Sequence, residues 1–250
     1  MAAPATHLMK ELELASAAAL AAGRILQDEF ARGTVINSAG GKDIKTQADV
    51  LAEAEILTRL RAATDWPILS EEAGADPNFS TLGRYWVIDP LDGTFNFTRR
   101  IPLCCVSIGL WENGEPLLGV IHDFLAGRTY QGVVGVGAWD NGQPMNVSAE
   151  QSKAASALAT GFPSGRSYQN ESLLGFVQQV QAYKKLRLLG SAALSLAWVA
   201  AGKVEAYHEE DIYFWDVAAG LALVKAAGGT YQAKPGNGAW KWNVLAANRP

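Results

Sequence analysis

Two carboxylates in one short turn, Asp89 and Asp92, have the residue type and spacing that best suit chemistry in this sequence. They follow the aromatic and β-branched run 85–88, so we expect them where a buried strand emerges at a sheet edge. A hard cation such as Mg²⁺ prefers oxygen ligands, and the Leu91 carbonyl could add one to the two carboxylates. The pattern therefore indicates a metal site, although Asp, Pro and Gly are also typical of an ordinary turn.

The residues that follow extend this pattern towards phosphate binding. Gly93 permits close backbone approach, and Thr94 could begin a helix whose free N–H groups would face an anion. As a whole, residues 89–97 (Asp-Pro-Leu-Asp-Gly-Thr-Phe-Asn-Phe) resemble the signature of the Mg²⁺-dependent inositol monophosphatase-like family. The resemblance implies that Asp89, Asp92 and the Leu91 carbonyl bind metal.

Further segments resemble the same family in the expected order, and together they cover nearly the whole chain. Ser70-Glu71-Glu72 resembles a Glu pair whose first member, Glu71, binds metal, although such a pair alone is typical of a solvated loop. Residues 214–220 resemble a second signature, which implies that Asp216 binds metal and lies against the substrate. Asp216 would also stabilise the N-terminus of the helix predicted there.

Residues 45–49 resemble a Thr-x-Ala-Asp element of the family. The resemblance implies that Asp49 pairs with Thr94, and that the two orient and help deprotonate the attacking water. From the residues alone, Thr46 and Asp49 fit a capping box before a helix. Both interpretations stay open at this point.

The resemblance also implies a substrate pocket, in which Glu209 accepts hydrogen bonds from ring hydroxyls. Residues 208–211 could equally form a solvated acidic loop. Asn96-Phe97 looks more like the inositol and sugar phosphatases than the nucleotide-bisphosphatase branch. The implied pocket residues are Gly93, Thr94, Arg187, Gly190, Ala192, Glu209 and Asp216.

The implied reaction is metal-dependent hydrolysis of a small polyol or sugar phosphate, with inositol monophosphate favoured. Glu71, Asp89, Leu91, Asp92 and Asp216 would hold two or three Mg²⁺ ions, Glu71 would also serve catalysis with Asp49 and Thr94, and Li⁺ would inhibit. Fructose-1,6-bisphosphatase and histidinol-phosphatase activities are alternatives on the same scaffold. A non-catalytic, regulatory phosphate-binding protein is a more distant one.

Composition sets the class of protein. The 250 residues are 49% hydrophobic and 18% charged, with a net charge of −4, so no basic surface for nucleic acid is indicated. No run is long and apolar enough to span a membrane, and adjacent Cys104 and Cys105 favour free thiols in a cytoplasmic protein. The motifs of NTPases, dinucleotide-binding enzymes, serine hydrolases and zincins are missing. A homodimer is implied only by the resemblance.

Hydrophobic periodicity predicts the elements that position these residues. The turn-rich segment 137–144 predicts a boundary between an α+β half (1–140), which carries most metal ligands, and an α/β half (141–250). The resemblance implies a layered αβαβα sandwich with the site between the halves. We expect a flexible loop over 33–45, in which Lys42 is a loosely aligned basic candidate. Helices are predicted at 6–30, 49–63, 170–183, 190–201 and 215–227, and strands at 66–70, 85–89, 105–111, 117–122, 128–134, 156–161, 186–189 and 204–207.

Overall fold

The computed structural model describes residues 3–33, 35–40, 43–162 and 169–249. Four of the six helices in these ranges differ in how they are buried. The first two bury one face, whereas the last two are apolar nearly all round, which is typical of helices buried between layers. The helices are α1 (Ala3–Arg32), α2 (Gln47–Ala63), α3 (Thr94–Thr98), α4 (Asn170–Gln181), α5 (Ala192–Ala200) and α6 (Phe214–Ala226).

The strands of the described ranges form one hairpin and two larger sheets. The hairpin consists of β1 (Ile36–Gly40) and β2 (Asp43–Thr46). The first large sheet contains β3 (Ile68–Ser70), β4 (Gly74–Ala75), β5 (Arg84–Asp92), β6 (Cys105–Glu112), β7 (Glu115–Asp123), β8 (Arg128–Val133), β9 (Gly137–Asp140) and β10 (Gln143–Met145). The second contains β11 (Ala157–Thr160), β12 (Lys185–Arg187), β13 (Ala206–Tyr213), β14 (Thr230–Pro235) and β15 (Lys241–Ala247).

The first sheet has the order β10-β9-β8-β7-β6-β5-β3-β4 and is antiparallel except for the β3–β5 pair. Asn113 and Gly114 both have positive φ between β6 and β7, as a tight hairpin turn requires. In the parallel pair, Ser70 lies opposite Ile88. The carboxyl ends of β3 and β5 therefore meet at one edge, and the residues that follow them become neighbours.

The second sheet places parallel strands β12-β11-β13 beside antiparallel β15 and β14. From β11 the chain passes through α4 to β12 on one side, then returns through α5 to β13 on the other. Because such crossovers are right-handed, these opposite directions put α4 and α5 on opposite faces of the sheet.

The helices and sheets alternate in layers. Helices α1 and α2 pack on one face of the first sheet, and α6 packs on its other face, beside α5 and against the second sheet. With α4 outside the second sheet, the order is the αβαβα sandwich that was expected. Two buried clusters form the core, one on each side of the first sheet.

Glycines let α6 approach the first sheet very closely. Gly109 and Gly119 lie opposite each other on β6 and β7, and both face the backbone of α6. A Cβ on Gly119 would lie 2.1 Å from the Ala219 carbonyl oxygen, so only glycine fits there without movement. On the other side of α6, a Cβ on Gly220 would lie 2.4 Å from Leu196 of α5. This close packing fixes the position of the first turn of α6, which carries Asp216.

The expectation of a flexible loop over 33–45 is wrong for the described part of that segment. Residues 36–40 and 43–46 pair as β1 and β2. The Gly and Ser content suggested a loop. Backbone pairing between strands needs no apolar side chains, so a strand this short leaves no clear pattern in the sequence. Lys42 lies outside the described residues.

Most other elements appear near their predicted bounds, with one extension that matters. The last predicted strand, 204–207, continues as β13 to Tyr213 and includes Glu209, which is buried. The alternative of a solvated acidic loop is therefore wrong for Glu209. The turn-rich segment 137–144 contains β9 and β10 of the first sheet, while the division of the chain at residue 140 stays a prediction.

Two further expectations concern thiols and membranes. Cys104 and Cys105 are both free and buried, as their adjacency indicated. None of the helices in the described ranges combines the length and apolar character that crossing a bilayer requires.

We predict opposite effects for one change, Gly→Ala, at two positions. Gly119→Ala should lower the free energy of unfolding by roughly 3 kcal/mol, because the new methyl group overlaps the α6 backbone. Gly175→Ala is the matched control, since Gly175 lies in α4 and, apart from its own helix backbone and its chain neighbours, no described atom is within 4 Å of its Cβ position. It should raise stability by about 0.5–1 kcal/mol. Urea denaturation measures both, and equal effects would contradict the close-packing interpretation.

Candidate metal and phosphate site

Three carboxylates converge at the edge where β5 ends. Asp89 and Asp92 come from β5, and Asp216 comes from the first turn of α6. Each offers an oxygen, and these atoms all lie within 4.8 Å of one another. The predicted ligands from the two halves of the sequence are thus brought together.

Glu71 joins this group because it directly follows β3, the parallel neighbour of β5. Its backbone N–H donates to the Ile88 carbonyl at 3.3 Å. The Glu71 and Asp89 carboxyl groups are close enough for each to influence the pKa of the other. Glu71, Asp89, Asp92 and Asp216 form what we call the acidic cluster.

Burial and mutual repulsion shift the titration of the acidic cluster upward. Burial, together with repulsion from the neighbouring carboxylates, raises the pKa of Glu71 to about 8. The same two causes raise the pKa values of Asp89 and Asp216 well above the ordinary range for aspartate. Four acids this close need protons or cations to balance their charge, and an all-oxygen donor set suits a hard divalent cation.

Asp92 is the best anchored acid of the cluster, at the N-terminus of α5. Its Oδ2 accepts hydrogen bonds from the Ser191 hydroxyl and, at 2.9 Å, from the Ala193 N–H. Burial raises the pKa of Asp92 to about 6, and these hydrogen bonds, with one from the Ala192 N–H, act in the lowering direction. One carboxylate face is therefore held by α5.

Asp49 and Thr94 form a pair beside the acidic cluster. The Thr94 hydroxyl lies 3.2 Å from Asp49 Oδ1 and 2.9 Å from the Leu91 carbonyl oxygen. The backbone N–H and hydroxyl of Thr46 both donate to Asp49 Oδ2 at 2.7 Å, which completes a capping box for α2. Both interpretations of Asp49 therefore hold, because its two oxygens serve different partners. Burial raises the pKa of Asp49 to about 6.

The turn between β5 and α3 explains the need for glycine in this motif. Gly93 has φ +89°, and a Cβ there would lie 2.7 Å from the Leu103 carbonyl oxygen. Thr94 then begins α3 as predicted. An α-helix leaves its first N–H groups without helical partners, so this end can face an anion.

A cavity of about 220 Å³ opens beside Asp92. Three predicted pocket residues, Gly190, Ala192 and Glu209, line it, together with Phe162 and Ile212. One oxygen of Glu209 accepts a hydrogen bond from the Tyr207 hydroxyl at 2.9 Å.

The other four predicted pocket residues, Gly93, Thr94, Arg187 and Asp216, are not among the residues that line this cavity. Arg187 is exposed at the end of β12, where its guanidinium donates to the Leu186 carbonyl at 2.8 Å.

Comparison with known proteins decides the family. The model of the inositol monophosphatase family matches residues 8–249. The chain belongs to this family. The family consists of phosphoric monoester hydrolases, so the chain is an enzyme of that class, and the acidic cluster agrees with the metal dependence of the family.

Individual relatives bear different names. A Nus factor SuhB of Xylella fastidiosa is 41% identical over 189 residues, which are 75% of this chain and 68% of the relative. A fructose-1,6-bisphosphatase/inositol-1-monophosphatase of Aquifex aeolicus is 34% identical over 90% of this chain and 86% of its own. The solved inositol monophosphatase of Anabaena superposes with a TM-score of 0.82 at 35% identity, covering 97% of this chain and 92% of that one.

Several residues that shape this site were not singled out from the sequence. The Asn96 amide donates to the carbonyls of Leu189 and Leu103, both at 2.8 Å, and so ties α3 to the segment before α5. Asn96 stood inside the recognised motif, but no local rule indicates its partners. Ser191 could have been found as a helix cap before an apolar run. Tyr207, which donates to Glu209, gave no such signal.

We predict that the stability of the metal-free protein falls as pH rises. The raised pKa values mean that the folded acidic cluster holds protons that an unfolded chain releases near pH 4. The contribution of these bound protons to the free energy of unfolding is complete below about pH 4 and is lost as pH rises through about 6 to 8. In EDTA, we expect a loss on the order of 2 kcal/mol between pH 5.5 and 8.5, roughly 4–8 °C in melting temperature.

Mg²⁺ should oppose this loss, so its stabilising effect should be larger at pH 8 than at pH 6. Thermal melts across this range, with Mg²⁺ and with EDTA, measure both quantities. The same Mg²⁺ effect at both pH values would contradict proton–metal competition in the acidic cluster.

Proposed function

We propose that this protein is a Mg²⁺-dependent phosphomonoesterase that hydrolyses a small polyol or sugar phosphate, with inositol monophosphate as the favoured substrate. The observation that carries this proposal is the acidic cluster, flanked by the Asp49–Thr94 pair and by a cavity containing Glu209. The carboxylates that would bind metal, the aspartate that would accept a proton and the glutamate that would bind a substrate hydroxyl thus lie near one another.

Glu71, Asp89, Asp92, Asp216 and the Leu91 carbonyl would hold two or three Mg²⁺ ions. All of these donors are oxygens, which matches the preference of Mg²⁺. When bound, such ions lower the pKa of the attacking water and neutralise charge on the phosphate and the leaving oxygen. We also propose Li⁺ as an inhibitor, on the family resemblance alone.

Thr94 and Asp49 would take part in proton transfer. The single Thr94 hydroxyl proton has two acceptors, the Leu91 carbonyl and Asp49 Oδ1. If the Leu91 carbonyl serves as a ligand, this proton turns to Asp49, and the Thr94 oxygen can accept a hydrogen bond from the water. Burial raises the pKa of Asp49 to about 6, close to the range in which a base is effective at neutral pH.

Bond making and breaking then follow from this arrangement. The water oxygen would form a bond to phosphorus while its proton moves towards Thr94 and Asp49, with Glu71 assisting from the acidic cluster. The ester P–O bond would break on the opposite side, and the leaving alkoxide would take a proton from a second water molecule to become an alcohol. The N-terminus of α3, from Gly93 and Thr94, would hold the phosphate oxygens.

The substrate alcohol would lie in the cavity. Glu209 would accept hydrogen bonds from ring hydroxyls while Tyr207 holds its other side, and Gly190 and Ala192 would border the ring. Asp216 would contact both metal and substrate. Arg187 remains a proposed pocket residue on the resemblance alone.

Fructose-1,6-bisphosphatase activity is the second candidate, since the Aquifex relative bears both names. Histidinol-phosphatase activity has no such support from these relatives. A non-catalytic regulatory role is a third possibility, and the SuhB relative named as a Nus factor is the reason to keep it. The complete acidic cluster and the Asp49–Thr94 pair favour hydrolysis. A cytoplasmic homodimer stays a proposal.

Phosphate release from a substrate panel tests the proposal. The panel contains myo-inositol 1-phosphate, fructose 1,6-bisphosphate, histidinol phosphate and adenosine 3′,5′-bisphosphate, each with Mg²⁺ and with EDTA. We expect Mg²⁺-dependent release, fastest from inositol 1-phosphate, and about tenfold lower kcat/KM for that substrate in Glu209→Gln. Preference for another ester would correct the substrate. No release from folded, Mg²⁺-bound protein would favour the binding role.

Asp92→Asn should preserve the fold and reduce turnover by orders of magnitude. An asparagine oxygen can still accept the Ser191 and Ala193 hydrogen bonds, but its NH₂ group then replaces a charged oxygen in the cluster. Asp123→Asn is the matched control, because Asp123 is a buried aspartate that accepts a hydrogen bond from the Ala126 N–H. Circular dichroism checks the fold and phosphate release checks turnover. Near-normal activity of Asp92→Asn would overturn the assignment.

A further inference from the structure

The turn that carries Glu71 is held by a buried carboxylate from another element. Residues 71–73 connect β3 to β4, and Glu53 of α2 lies against this turn with 8% of its surface exposed. The Ser70 hydroxyl, just before the turn, donates to Glu53 Oε1. The Ala73 N–H, at its end, donates to the same oxygen at 2.9 Å. One oxygen therefore closes both ends of the turn.

Glu53 and Asp49 share one face of α2. They are four positions apart, so their side chains lie on the same side of the helix, and both are buried. Farther along this face, Ile56 and Leu60 are fully buried in the core. A helix fixed in the core thus carries one carboxylate to Thr94 and another to the Glu71 turn.

The charges of the acidic cluster give this contact a purpose beyond local packing. Without a cation, repulsion among the neighbouring carboxylates favours moving Glu71 away from Asp89, Asp92 and Asp216. The turn can yield to that force only if its ends are released. Glu53 opposes the release, because its removal would leave the Ser70 hydroxyl and the Ala73 N–H without this acceptor.

We propose that Glu53 is a positioning residue, which holds Glu71 ready to bind metal at a fixed spacing from Asp49. The inference rests on the proposed function in one respect, namely that Glu71 binds metal. The role of Glu53 depends on the position of its side-chain oxygen rather than on its negative charge, since the Ser70 hydroxyl and the Ala73 N–H that donate to it are neutral groups.

Three substitutions of Glu53 in the full chain separate reach from charge. In Glu53→Gln the amide oxygen can accept both bonds, so we expect the Mg²⁺ dissociation constant to stay within about threefold of the parent. Glu53→Ala removes the acceptor, and in Glu53→Asp the side chain is too short to reach the two donors. For both variants we expect the Mg²⁺ dissociation constant to rise roughly 10- to 100-fold, as for other outer partners of metal ligands. Isothermal titration with Mg²⁺ alone measures this without reference to activity.

Two controls identify the cause of any loss. Leu60→Ala removes a buried side chain from the same helix without touching the turn, so it should lower the melting temperature and leave Mg²⁺ affinity unchanged. Glu71→Gln removes the ligand itself and should weaken Mg²⁺ binding at least as much as Glu53→Ala. Phosphate release at saturating Mg²⁺ should largely recover in Glu53→Ala, which separates positioning from chemistry.

Each result has one meaning. If Glu71→Gln leaves Mg²⁺ affinity unchanged, the proposed metal role of Glu71 fails. If Glu71→Gln weakens binding but Glu53→Ala and Glu53→Asp bind like the parent, only the positioning role fails. Equal weakening by Leu60→Ala would overturn it as well. Should both of those Glu53 variants fail to fold, Ser70→Ala decides: about threefold weaker Mg²⁺ binding supports the role, and unchanged binding overturns it.

Discussion

Repulsion among four neighbouring carboxylates, two buried and two partly buried, is the constraint on which the rest of this structure depends. Glu71, Asp89, Asp92 and Asp216 come from three separate elements, and burial and their mutual proximity raise their pKa values. Such a group disperses unless the backbone that carries each acid is held independently. The large apolar core on both sides of the first sheet supplies this rigidity, and the family to which the chain belongs uses it for phosphate ester hydrolysis.

Each acid is held by a different physical device. The parallel pairing of β3 with β5 brings Glu71 beside Asp89. The first turn of α5 binds one side of Asp92 through N–H groups, which favours its charged form. Gly109 and Gly119 let α6 lie close to the sheet, and this close packing sets the position of Asp216 in the first turn of α6. The position of each acid is therefore a consequence of how the layers pack, and the helices and strands that hold the acids in place are otherwise apolar.

Much of the fold could be predicted from local patterns. The β6–β7 hairpin follows from Asn113-Gly114, and the central helices follow from segments that are apolar nearly all round. The 33–45 segment shows the limit, because β1 and β2 have little apolar patterning, although they pair as antiparallel strands. Glu209 shows another limit: its acidic neighbours resemble a solvated loop, yet pairing with β15 continues the strand and buries it.

The sequence by itself determined the chemical groups of the site, since Asp89, Asp92, Thr94, Glu71, Asp216 and Asp49 all stood in recognisable motifs. It also determined local geometry that acts over a few residues, such as the glycine turn at Gly93 and the capping box at Asp49. Only the tertiary structure decided what holds these groups. Asn96 reaches Leu189 across 93 positions, and the Ala193 N–H reaches Asp92 across 101. Such contacts carry no periodicity along the chain, because they arise from the packing of whole layers rather than from neighbouring residues.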